Sequence, residues 1–337
     1  MAGSGARATL VGTLAVVTVL VAGCSPTRLV SSLSPTAHLE RASDIAYGED
    51  PRQRLDVYRP QGRTGAGAAP VVVFFYGGAW QRGDRDKYAF VGSYLADLGV
   101  VAVVPDYRVY PEVRFPGFVE DGAEVLAWIE RHVEAFGGDP TRVIVMGHSA
   151  GAHIAALLAL DERYLQSRGV TRAVPRGFIG LAGPYRFDID RGRLAEIFAG
   201  DQAQGDSQPM NFVRDDAPPA LLLHGESDRV VEAANSLALH AGLCAAGSSA
   251  EVIVYPGVGH MRIAAALAPP LSFAGRSDED VARFIARFTG ETHDGPASDA
   301  LTCDEPPGGS QSAAAGRPSP GPSAHMGVAV HVKTQRP

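Results

Sequence analysis

Cysteine is scarce: three in 337 residues, at positions 24, 244 and 303, with no C-x-x-C pair and no Cys/His cluster at metal-ligand spacing. That excludes a disulfide-built scaffold and gives no reason to expect a metal or other cofactor. Positive charge is not in excess either. Thirty Lys and Arg stand against 37 Asp and Glu, a net charge of −7, so the footprint of a nucleic-acid binder is missing. The apolar run Leu10 to Ala22 is too short to span a bilayer. No internal repeat is visible. What is present is 45% hydrophobic and 20% charged, an ordinary soluble globular composition, and the length is enough for one large α/β domain plus extensions.

The two ends read as extensions. Arg7 and the amino terminus precede the apolar run, which ends in Val21-Ala22-Gly23-Cys24. This resembles the lipobox of bacterial lipoproteins, which implies a signal peptide over 1–23, cleavage before Cys24, lipid on its thiol and contact with a membrane. An ordinary cleaved signal or an uncleaved anchor is the alternative, and in each case the chain is exported. Residues 24–44, rich in Ser, Pro and Thr from Ser25 to Ala37, read as a flexible tether. Residues 291–337 are Pro, Gly, Ser and Ala without periodicity and read as a disordered tail, with Cys303 a point where it could be pinned. In an oxidising compartment Cys244 and Cys303 are able to pair, but spacing does not decide whether they meet.

Between the extensions, 45–290 alternates strand and helix patterns. Val71–Tyr76, Val100–Val104, Val143–Met146, Phe178–Ala182, Ala220–His224 and Glu251–Tyr255 are short β-prone apolar runs. Lys87–Leu98, Phe118–Phe136, Val231–Ala246 and Asp278–Phe288 have helical spacing. The alternation predicts a mostly parallel, doubly wound sheet. Periodicity fails over 185–216, which reads as an insertion over the site, a small lid.

The most informative stretch is Gly147-His148-Ser149-Ala150-Gly151, between the Val143–Met146 run and an Ala/Leu-rich helix. A serine on a sharp strand-to-helix turn needs small neighbours two positions either side, and the turn lifts its hydroxyl to the top of the sheet. The plainer reading is a serine capping a helix. A serine hydroxyl attacks only when a base takes its proton and an acid orients the base. Asp228 follows the Ala220–His224 strand and His260 follows the Glu251–Tyr255 strand, so Ser, Asp and His occur in order, each just past a strand's C-terminal end. Ser149 is therefore the expected nucleophile, His260 the base and Asp228 its orienting acid. Competing histidines are His148, His153 and His224; competing acids are Glu226, Asp188, Asp190, Asp215 and Asp216. After the Val71 strand, Tyr76-Gly77-Gly78-Ala79-Trp80 is a Gly-rich loop able to supply oxyanion donors.

These motifs, with Pro105-Asp106-Tyr107-Arg108 and Phe136-Gly137-Gly138-Asp139-Pro140-x-Arg142, resemble the carboxylesterase branch of the α/β-hydrolases over about residues 45–290. That branch includes bacterial feruloyl-esterase-like and hormone-sensitive-lipase-like enzymes, and the chain is also similar to prenylcysteine methylesterases. The resemblance implies the α/β-hydrolase fold, backbone oxyanion donors at Gly78, Ala79 and Ala150, and a serine carboxylesterase acting on small or medium acyl esters. Tyr76 departs from the usual loop histidine. Its hydroxyl either replaces that histidine's hydrogen bond or the ring is simply packed. An amidase or peptidase on the same residues, or an inactive exported binding protein, are the alternatives. Acyl and alcohol specificity and oligomeric state are not written in these motifs.

Overall fold

The computed structural model describes residues 39–61, 68–200, 203–268, 271, 275–290 and 300–303. The expected signal peptide, Cys24 and most of the expected tether and tail lie outside these residues. Nine strands form one sheet in the order β1-β2-β4-β3-β5-β6-β7-β8-β9. They are β1 (Leu39–Ala46), β2 (Arg54–Pro60), β3 (Ala69–Phe75), β4 (Val101–Pro105), β5 (Gly138–His148), β6 (Pro175–Leu181), β7 (Ala220–Gly225), β8 (Ala250–Tyr255) and β9 (Leu301–Thr302). From β4 to β8 every neighbour is parallel, while β1, β2 and β9 are antiparallel edges.

The central strands are buried on both faces, which is why they read as unbroken apolar runs rather than alternating ones. Successive side chains still divide between the faces. Phe74 meets Tyr88, at the entrance to helix α1 (Ala89–Asp97), whereas Phe75 lies against Gly122 of α2 (Gly117–His132). A Cβ on Gly122 would sit 2.7 Å from Leu158 Cδ1 of α3 (Ala150–Leu160), so that glycine lets two helices close on each other. Short helix α4 (Glu162–Ser167) follows. Segment 185–216 adds no strand among its described residues. It carries α5 (Gly192–Ile197), α6 (Ala203–Asp206) and a 3₁₀ turn at Pro209–Phe212. Helices α7 (Ala234–Ala246), α8 (Arg262–Ala265) and α9 (Ser277–Thr289) complete the chain.

Two boundaries move. The sheet starts at Leu39, inside the stretch read as tether. β1 is an edge strand with a bulge between Ala42 and Ile45, so it lacks strict alternation, and Arg41 ties it to buried Asp56 at 2.7 Å. At the other end, residues 300–303 belong to the fold rather than to a disordered tail. β9 pairs with β8, and a disulfide joins Cys303 to Cys244 on α7.

Candidate active site

Backbone geometry at the end of β5 explains the Gly-x-Ser-x-Gly spacing. Ser149 sits at φ 55°, ψ −122°, in the region that L-residues avoid. A Cβ on Gly147 would lie 2.2 Å from the carbonyl oxygen of Gly151, and one on Gly151 would lie 2.0 Å from that of Phe75. Only glycine fits at either place. Ser149 makes no side-chain capping bond to α3, which removes the capping reading. Its Oγ instead lies 2.9 Å from His260 Nε2.

Asp228 and His260 arrive from the neighbouring loops after β7 and β8. His260 Nδ1 is 2.6 Å from Asp228 Oδ2, and the amides of Val230 and Val231 donate to Oδ1 at 2.8 and 3.0 Å. Burial works against the charge on Asp228, but hydrogen bonds from His224 and His260 outweigh it and hold the carboxyl well below its usual range. An ionised Asp228 accepts, so His260 carries its proton on Nδ1 and presents a lone pair at Nε2 to the serine O–H.

The three competing histidines are engaged elsewhere. His148 donates from Nε2 to the carbonyl of His260 at 2.9 Å, and burial, then the neighbouring His260, push its pKa down to about 3. His153 donates to the carbonyl of Ser207 at 2.7 Å, and burial pushes its pKa down to about 4. His224 donates to the Val231 carbonyl at 2.9 Å, accepts from Ser236 Oγ at 2.8 Å, and lies 3.4 Å from Asp228 Oδ2. Glu226 is exposed and accepts from the amide of Gly257, and Asp188, Asp190, Asp215 and Asp216 are exposed within residues 185–216.

The Gly-rich loop runs past the serine: a Cβ on Gly77 would be 3.0 Å from Ser149 Cβ. Gly78 (φ 151°), Ala79 (φ 53°) and Trp80 (φ 58°) all lie at positive φ, and a Cβ on Gly78 would strike the Arg82 carbonyl at 1.8 Å. Gly78 tolerates this, but Ala79 and Trp80 are two strained residues in a row and need outside support. The amides of Gln81 and Arg82 donate to the Gly78 carbonyl, and that of Tyr110 donates to Trp80 at 2.8 Å. The Trp80 ring stacks on Phe187 at 5.5 Å and meets Phe198 and His153 edge-on at 4.9 and 5.2 Å. Ala150 opens α3, where the first amides of a helix lack intrahelical partners.

Tyr76 is both packed and hydrogen-bonded. Its hydroxyl donates to Asp106 Oδ1 at 2.7 Å and accepts from Arg52 at 3.1 Å, and its ring stacks on Tyr107 and Tyr88 at 4.8 and 5.5 Å. Tyr107 in turn donates to the Tyr76 carbonyl at 2.7 Å. Arg52 and Tyr88 were not legible as site residues, and His224, weighed only as a competing base, instead lies 3.4 Å from Asp228 Oδ2. Asp106 and Tyr107 stood in a matching motif without a role. Of the cysteines, Cys24 lies outside the described residues. Cys244 and Cys303 lie beside His240, their ligand atoms within 4.8 Å of one another, but the two sulfurs are bonded to each other.

A model of the prolyl oligopeptidase family matches residues 119–291, just over half of the sequence. The chain belongs to the prolyl oligopeptidase family, within the α/β-hydrolases. A second family model, BD-FAE, matches residues 55–171 of this prolyl oligopeptidase family member. Its relatives include isoprenylcysteine alpha-carbonyl methylesterase ICME of Arabidopsis thaliana, 31% identical over 279 residues, 76% of this chain and 64% of that one. Esterase LipC of Mycobacterium tuberculosis is 32% identical over 64% of this chain and 58% of its own. The chain spans 50% to 64% of the length of such curated relatives. Among solved structures, Thermogutta terrifontis esterase 2 superposes with a TM-score of 0.65 at 22% identity, covering 77% of this chain and 98% of that chain. At that identity the likeness is one of fold.

Proposed function

We propose that this chain is a serine carboxylesterase that hydrolyses small or medium acyl esters through an acyl-enzyme. The unbroken line from Ser149 Oγ through His260 to Asp228, beside a strained Gly-rich loop, is the observation that carries the reading. His260 Nε2 takes the serine proton as Oγ adds to the ester carbonyl. The oxyanion is met by the amides of Gly78, Ala79 and Ala150, fixed before substrate arrives. His260 then hands its proton to the leaving alcohol, and the same imidazole activates the water that releases the acid. Relatives named as esterases support the ester as substrate.

The family name favours a second reading, an amidase or peptidase on the same residues. Turnover of p-nitrophenyl acetate against an aminoacyl p-nitroanilide separates the two, and faster anilide turnover would reverse our choice. Ser149→Ala is expected to lose roughly 10⁴-fold or more in kcat, together with labelling by a fluorophosphonate. A wild-type protein that resists the fluorophosphonate would point to an inactive binding protein instead. We further propose export and lipid attachment at Cys24, with residues 185–216 acting as a lid. Detergent-phase partitioning that persists in Cys24→Ser would overturn the attachment.

A further inference from the structure

His148 is the last residue of β5, adjoins the serine, and is only 1% exposed. Its ring centroid lies 4.9 Å from that of His260, yet the two rings share no hydrogen bond. What His148 holds is backbone. A carbonyl oxygen can only accept, so Nε2 carries the proton it gives to the His260 carbonyl at 2.9 Å. The ring's other nitrogen turns toward the Gly-rich loop, where a Cβ on Gly77 would come within 2.9 Å of Nδ1. Earlier in the base loop, the Val258 carbonyl accepts from Ser227, and so fastens to the Asp228 loop at 2.9 Å. Nothing in that bond reaches the strand that bears the serine.

We propose that His148 is a positioning residue that ties the backbone of the base to the strand carrying the nucleophile. This rests on the triad reading above. With the tie in place, the backbone that carries the 2.9 Å approach of Nε2 to Oγ is anchored to β5 as well as to the Asp228 loop. Buried and neutral, the ring adds a donor to the site without adding a competing charge.

Two amide side chains of different reach test this. In H148Q the amide nitrogen extends about as far as Nε2 and can donate to the same carbonyl; in H148N it falls short. H148N is expected to lose about 10- to 100-fold in kcat on p-nitrophenyl acetate with KM within about twofold, the effect of misplacing a reacting group. H148Q is expected to recover most of that loss. The low-field proton resonance of the His260–Asp228 hydrogen bond should broaden in H148N and sharpen again in H148Q. Equal kcat in wild type and H148N, or equal loss in both variants with the resonance unchanged, would overturn the proposal while leaving the triad intact. Activity retained in Ser149→Ala and His260→Ala would overturn the triad itself.

Discussion

Acidification from pH 7.5 to 5 is expected to destabilise the native state by about 4 kcal/mol through His148 and His153 alone. Both are fully buried and neutral, with pKa values pushed from 6.5 to about 3 and about 4 by burial first and, for His148, by His260 next. The unfolded chain takes up a proton at each as pH falls through 6.5, and the native state does not. Stability from these groups is therefore complete above 6.5 and is lost as pH falls toward the folded values. Each contributes a slope of about 1.4 kcal/mol per pH unit, hence about 2 kcal/mol each at pH 5. Against a total stability of about 5–15 kcal/mol, that is a large fraction. Urea unfolding with the disulfide intact, repeated at half-unit steps of pH, measures it. His153→Phe keeps an aromatic ring among Trp80, Phe187 and Phe198 and gives up the bond to Ser207. That variant should be less stable by about 1 kcal/mol at pH 7.5, with its slope below pH 6 reduced by about 1.4 kcal/mol per unit. The carboxyls held low, Asp228 and Glu251 among them, act at lower pH and cancel in the comparison. Identical slopes in wild type and variant would refute the reasoning.

Three further outcomes follow from named contacts. Tyr76→Phe keeps both ring stacks but removes the hydroxyl between Arg52 and Asp106; because the Arg85 amide still donates to Asp106, the cost should be about 1–2 kcal/mol by urea unfolding. Asp228→Asn should lower kcat by about 10⁴-fold while the protein still unfolds cooperatively, since an amide cannot hold the same tautomer of His260. Cys244→Ser opens a loop of 59 residues and should cost about 2–4 kcal/mol, with hydrogen exchange at Leu301 and Thr302 rising to that of free chain.

The strands of the sheet centre, the elbow at Ser149 and the Gly-rich loop were readable one after another, because each is a local pattern: an apolar run, a glycine where a Cβ has no room, a turn. So was the order of Ser149, Asp228 and His260 past strand ends. The edges were not, since β1 and β9 are held by their partners and a disulfide, without a periodicity of their own. Strand-end order singles out His260, but what the other histidines hold is not written in the sequence. His148, His153, His224 and His260 are the same side chain near the same strands, and what separates them is the atom each one meets. His260 reaches Ser149 because β7 and β8 lie side by side and deliver the loops that carry Asp228 and His260 together at the rim of β5. His148 meets a backbone carbonyl 112 residues away. Tyr76 likewise finds Asp106 only once β3 and β4 pair. Local propensity is decided within a few residues of chain, whereas a hydrogen bond is decided at about 3 Å in space, and only folding converts the one into the other.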